Sequence, residues 1–142
     1  MPETPATVLG FDYGTRKIGL ASGSALTGTD NPLPAIACPR QAPDWDAIAA
    51  HVGEWQPAAL VVGLPLNMDD SESELSRRAR RFARQLEGRF HLPAWLVDER
   101  LSTREARERL GENYRGGADP KVDSLAAVLI IEGFYRDGGE RP

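Results

Sequence analysis

The chain has 142 residues, with 17 Lys and Arg against 21 Asp and Glu and a formal net charge of -4 at pH 7; that length suits one domain that buries roughly two-thirds of its unfolded surface. A 41% hydrophobic and 27% charged composition excludes a disordered or fibrous chain. The longest apolar run, residues 125–131, is far below the ~18–20 residues of a membrane span, the opening MPETPATVLG is unlike a signal peptide, and the lone Cys38 excludes an internal disulfide and suits a cytoplasmic protein.

The first third reads as strand. TVLGFDYG (7–14) alternates, and KIGLASGS (17–24) follows after two residues, which favours a hairpin. Residues 26–39 form a third strand candidate, confined to an edge or bulge by Pro32 and Pro34. Trp45, Ile48, Ala49, Val52 and Trp55 recur at helical spacing after Asp44, a candidate N-cap. AALVVGL (58–64) is a short apolar run of the kind buried in a parallel sheet.

Ser71-Glu72-Ser73-Glu74 reads as a capping box that opens a helix with the stripe Leu75, Ala79, Phe82, Leu86 and Phe90. AWLVDE (94–99) is a strand, and Ser102-Thr103-Arg104-Glu105 is a second capping box. Residues 111–118 are loop by composition. Asp119-Pro120 then opens a helix from Lys121 to about Tyr135. Strands first, then strands alternating with helices, predict an α/β fold with a mixed five-stranded sheet in one domain over 1–142, its core about 7–136.

Three acids stand out of place. Asp12 ends the first strand, Glu99 ends the LVDE strand, and Asp123 lies in the first turn of an otherwise apolar helix. Each has a plain structural role open to it. Asp12 suits an Asx turn, Glu99 a surface pair with Arg100 or Arg104, and Asp123 the dipole of its helix. Together, however, they gather where α/β sheets place ligand sites. Such a cluster repels itself unless cations neutralise it, and oxygen-only ligands suit Mg²⁺ or Mn²⁺. Two such ions ~4 Å apart clamp both the attacking and the leaving oxygen of a phosphodiester.

DYGTRKIGLA (12–21), VVGLPLNMD (61–69), VDERLSTREA (97–106) and KVDSLAAVLIIE (121–132) closely resemble the YqgF/RuvX family of small bacterial nuclease-like proteins. The resemblance spans residues 7–136. It implies the ribonuclease H-like fold, kinship with Holliday-junction resolvases, and metal-dependent processing of the 5′ end of pre-16S ribosomal RNA. The family's three acidic positions fall on Asp12, Glu99 and Asp123, which the resemblance makes catalytic and metal-binding, with one or two ions. Asp70 stands where a glycine is usual, and no second carboxylate follows Asp123 within a helical turn, unlike true resolvases.

An acidic balance argues against a nucleic-acid partner only on average. Residues 76–110 hold ten arginines against five acids, and fifteen of the 17 basic residues are Arg, whose planar fork grips phosphate. Arg77, Arg81 and Arg84 share one helix face, Arg104 and Arg107 another, with Arg100 just ahead of the latter pair. Arg16 and Lys17 follow Asp12 directly. These residues are candidates to bind structured precursor RNA, with branched DNA the alternative, by backbone and shape rather than by base stacking. A plain solvated helix face is the competing reading. The expected state is a monomer or weak homodimer, with no membrane partner.

Other chemistries lack the residues. His51 and His91 are the only histidines, so a histidine-rich zinc site is excluded, and Cys38 reads as packing rather than a nucleophile. Asp12-Tyr13-Gly14-Thr15 is similar to the first phosphate motif of sugar kinases and actin-like ATPases, but 142 residues hold no second lobe. A non-catalytic module docking on RNA or on transcription machinery is a further alternative.

Overall fold

The computed structural model describes residues 5–67, 69, 71–99 and 120–142, with the side chains of 120–123 outside that description. Strands β1 (Thr7–Asp12), β2 (Lys17–Ser24) and β3 (Thr29–Ala37) come first, then α1 (Trp45–Trp55), β4 (Ala59–Leu64), α2 (Glu74–Phe90), β5 (Ala94–Asp98) and α3 (Pro120–Asp137). They form the expected α/β fold around one mixed five-stranded sheet in the order β3-β2-β1-β4-β5. β1–β2 and β2–β3 pair antiparallel, whereas β4 pairs parallel with both β1 and β5.

Local chemistry explains most of these elements. β4 is buried at every residue because it has a strand on each side and helices on both faces. β3, with its prolines, takes the edge, and its register shifts opposite Ile18 and Leu20. The hairpin connection runs over 13–16 rather than two residues, since β1 stops at Asp12. Its turn is tight at Gly14, where a Cβ would lie 2.7 Å from the Lys17 carbonyl oxygen. Asp44 caps α1 by accepting from the Ala47 amide at 3.1 Å. Within α1, Ala49 is exposed, and the core contacts come from Trp45, Ala47, Ile48, Val52 and Trp55.

The start of α2 differs from the predicted capping box. Ser71 is held by Asp69, to whose Oδ1 its amide donates at 2.9 Å, and Glu72 pairs with Leu66 in an isolated bridge. The chain therefore stays extended for two more residues. The cap is Ser73, and its reciprocal partner is Ser76, not Glu74. Ser76 also donates to the Pro65 carbonyl, so it is buried and starts the apolar stripe of Ala79, Phe82, Ala83 and Leu86. Leu75, one residue earlier, turns outward to 36% exposure.

The sheet separates two cores. On one face α1 and α2 cover Leu9, Phe11, Ile18, Leu20, Leu60, Val62 and Leu96. On the other, α3 packs on Val8, Ala21, Val61 and Val97 through Ala127, Ile130 and Ile131. Leu96 exchanges backbone hydrogen bonds with Glu140 at 2.7 and 2.9 Å, so the last residues cover the edge of β5. No helix among the described residues is long and apolar enough to cross a membrane. The capping box expected at 102–105, the loop at 111–118 and the cap at Asp119 lie outside the described residues.

Candidate metal centre and nucleic-acid interface

Alternation along the strands decides where the acids go. In β1, Val8 belongs to the α3-side core, and a Cβ on Gly10 would lie 2.5 Å from Ile131 Cγ1; Asp12 continues that row. In β5, Trp95 and Val97 face α3, and Glu99, just beyond the strand, continues their row. The Glu99 amide still donates to the Leu64 carbonyl at 3.2 Å, so the ladder holds its backbone in place. Because β4 lies between β1 and β5, the two carboxyl groups meet across it.

They meet over Gly63. A Cβ there would lie 2.4 Å from Glu99 Oε2 and 2.6 Å from Ile130 Cδ1. The glycine therefore leaves the space that the Glu99 carboxyl fills beneath α3. This residue was not among the sequence-derived candidates. Its signal was a glycine interrupting the apolar run AALVVGL, a mark of close approach in a strand.

The electrostatics of the pair are severe. Glu99 is 8% exposed. Burial, then the neighbouring Asp12 carboxylate and a hydrogen bond to it, then Asp98, push the Glu99 carboxyl up to about 9. Its Oε2 is buried with no hydrogen-bond partner among the described residues. A protonated acid with an orphaned oxygen is costly in a core. A cation supplies what that oxygen lacks and permits both carboxylates to ionise, so the residues present fit a hard divalent ion. Asp123 falls in the first turn of α3, next to Ser124, whose hydroxyl donates to the Leu33 carbonyl and ties the helix start to β3. The Asp123 side chain lies outside the described residues.

Asp12 is half-buried and opens onto a cleft of about 310 Å³ that is also lined by Thr15, Arg16 and Lys17. Arg16 is exposed there, so the structure brings both predicted hairpin cations to the acid. On α2, Arg77, Arg81 and Arg84 are all exposed. Glu74 pairs with Arg77 at 3.2 Å and Arg78 at 3.3 Å, and these two arginines, through hydrogen bonds first, hold the Glu74 carboxyl below the usual carboxylate range. Arg80, which the sequence did not single out, is structural and pairs with Glu72 and, at 3.1 Å, with Glu140. Arg100, Arg104 and Arg107 lie outside the described residues. Cys38 is buried in the α1/α2 core, as its apolar context predicts.

Residues 6–137 match the family model RuvX, described as Holliday junction resolvase. An Alcanivorax borkumensis protein named "Putative pre-16S rRNA nuclease" is 61% identical over 128 residues, 90% of this chain and 94% of its own. Proteins of the same name from Pseudomonas aeruginosa and Escherichia coli are 52% and 50% identical, covering 92% and 93% of this chain and 92% and 97% of their own. Among solved structures, Thermus thermophilus RuvC in complex with a Holliday junction substrate matches with a TM-score of 0.56 at 16% identity, covering 96% of this chain and 98% of that one. That likeness establishes the ribonuclease H-like fold.

Proposed function

The chain belongs to the RuvX family, and from that premise we propose that it is a divalent-metal-dependent nuclease that processes the 5′ end of pre-16S ribosomal RNA. One observation carries the mechanism: the buried Glu99 carboxyl, its Oε2 unpartnered among the described residues, pressed against Asp12 over Gly63. Asp12, Glu99 and Asp123 would hold one or two Mg²⁺ or Mn²⁺ ions. When bound, these supply an activated water and neutralise the leaving oxygen of the cleaved phosphodiester.

The chain's own residues do the rest. Glu99 would give up its proton to solvent on becoming a ligand, and Asp12 would offer its carboxylate at the open rim of the cleft. Arg16 and Lys17, on the same cleft, orient the scissile phosphate. Arg77, Arg81 and Arg84 hold the backbone further along α2, a role extended to Arg100, Arg104 and Arg107. The whole reaction belongs to one domain over 1–142, acting in the cytoplasm, and trimming a single strand needs only a monomer.

Asp12→Asn tests this reading, since it keeps the shape and removes a charge from the site. Cleavage of a precursor RNA should fall by at least ~10³-fold, about 4 kcal/mol of barrier, with the circular dichroism spectrum unchanged. A purified variant that still cuts at the wild-type rate sinks the proposal. The family description favours a second reading, a resolvase acting on branched DNA. Faster cleavage of a four-way junction than of precursor RNA would put that reading first.

A further inference from the structure

A second hollow, of about 510 Å³, opens at the same end of the sheet on its opposite face. It lies between the Pro39–Gln41 turn and α2, and Tyr13, Gln41, Trp45, Arg78, Arg81 and Gln85 line it, with Glu74 the one acid among its lining residues. That β3 and β1 both run antiparallel to β2 explains why this turn, leaving the end of β3, arrives beside the end of β1. The alternation of β1 sends Asp12 and Tyr13 to opposite faces of the sheet, and Tyr13 borders both hollows. Asp12 lies in the row of Gly10, toward α3, whereas Tyr13 lies in the row of Phe11, its ring 5.1 Å from Phe82 of α2. Consecutive residues thus lead from the acidic cleft into the groove.

The groove is built rather than left over. Arg40 and Gln41 both adopt left-handed backbone, at φ of 55° and 63°, although neither is glycine. Such residues persist where surrounding structure over-determines them, and they concentrate at functional sites. Here the strained turn presents the Gln41 amide, whose Oε1 accepts from Arg78 Nη1 at 3.2 Å, while Glu74 steadies Arg78 from the other side at 3.3 Å. Arg81 projects from the same helix with no ion-pair partner among the described residues. Two neutral amides beside two guanidinium groups match the needs of a nucleotide. Amides donate to and accept from a base edge, and guanidinium forks grip phosphate. The Trp45 ring is already engaged by Phe82, with centroids 5.6 Å apart, and by the Arg89 guanidinium at 4.2 Å. Edge hydrogen bonding, not stacking, is therefore the mode available.

We propose that this groove is a nucleotide subsite for the residue next to the scissile phosphate, with Gln41 and Gln85 reading the base edge and Arg78 and Arg81 holding its phosphate. The inference rests on the nuclease reading above and adds to it a point of contact with base identity. A strand crossing the end of the sheet would place its reacting phosphate over Asp12 and its neighbour over Tyr13.

Titration of isotopically labelled protein in EDTA, with the four ribonucleoside 5′-monophosphates and then their 2′-deoxy counterparts, reads binding without turnover. The side-chain amides of Gln41 and Gln85 and the guanidinium signals of Arg78 and Arg81 should shift saturably. Gln41→Ala and Gln85→Ala, both at exposed positions, should each weaken binding about tenfold. Stronger binding of the ribonucleotides indicates an RNA strand and of the deoxynucleotides a DNA strand, and either result supports the subsite. Shifts confined to residues 12–17, or groove signals that move with an acidic peptide but with no nucleotide, overturn it. Cleavage of a precursor RNA by the wild-type protein, assayed beside the titration, separates the two proposals. Groove binding in a wild-type protein that does not cleave rejects the nuclease and keeps the groove as a nucleotide site, whereas cleavage with a silent groove does the reverse.

Discussion

Toward α1 and α2 the sheet presents Leu9, Phe11, Ile18, Leu20, Leu60, Val62 and Leu96; toward α3 the same strands present Val8, Gly10, Ala21, Gly23, Val61, Gly63 and Val97. The first face is built from large side chains that meet aromatic rings, with Phe82 within 5.6 Å of Phe11, Tyr13 and Trp45. The second is floored by glycines. A Cβ at Gly10, Gly23 or Gly63 would lie within 2.6 Å of Ile131 or of the Glu99 carboxyl. Removing side chains lets α3 sit close to the strands and leaves room at their end for a carboxyl that a filled core would expel. One face is specialised for apolar burial, and the other exchanges some of that burial for the position of its acids.

That division breaks if the large-residue face turns out to control the acids. Phe82→Ala deletes a ring that is 1% exposed and in contact with three others. Urea denaturation should register a loss of about 3–5 kcal/mol, the usual cost of a core phenylalanine. The Mn²⁺ affinity of the protein that remains folded should stay close to wild type in electron paramagnetic resonance titrations. A fall in affinity as large as that of a change at the acids would show that the faces are not separable.

Gly63→Ala sharpens the same comparison from the other side. The added methyl meets Glu99 Oε2 and Ile130 Cδ1 at once, so overpacking should cost about 1–3 kcal/mol. Mn²⁺ binding should weaken by about 10–100-fold, the range found when the support of a ligand is lost. Adding Glu99→Asp shortens the acid away from the methyl and should recover part of that affinity. Gly23→Ala also strikes Ile131, but against β2 rather than beside the acids. It should therefore cost stability while leaving the Mn²⁺ isotherm in place. Equal losses of affinity in the two alanine variants would make the glycines general spacers for α3.

The two faces also differ in how far the sequence reveals them. Periodicity disclosed the strands, the edge position of the proline-bearing β3 and the helices, because burial of large side chains writes itself into apolar spacing. It misassigned Leu75 and the first capping box, because Ser76 is polar yet buried against the Pro65 carbonyl, an interaction that no local pattern encodes. Asp12 and Glu99 were visible as charges at strand ends. Their meeting was not, since it depends on β4 lying between β1 and β5 and on the missing side chain of Gly63. The groove was hidden for a similar reason. Gln41 and Gln85 are unremarkable in sequence and come together only through the left-handed turn and the pitch of α2.

The pH dependence of stability puts a sign on the acid face. In the folded, metal-free protein the Glu99 carboxyl titrates near 9, against an ordinary value of 4.5, so between those limits the folded state binds the extra proton. Stability must then fall as pH rises, by up to ~1.4 kcal/mol per pH unit for one proton. The contribution is whole below pH 4.5 and spent by about pH 9. Urea midpoints measured in EDTA across that window should trace this decline, and Glu99→Gln should flatten it, because an amide has no proton to lose. Saturating Mg²⁺ should oppose the decline, since ion binding draws on the ionised pair and tightens as pH rises. A wild-type profile in EDTA that matches that of Glu99→Gln would mean that Glu99 is already ionised without metal. The orphaned oxygen would then need a partner within the protein, and the case for a cation there would lose its physical basis.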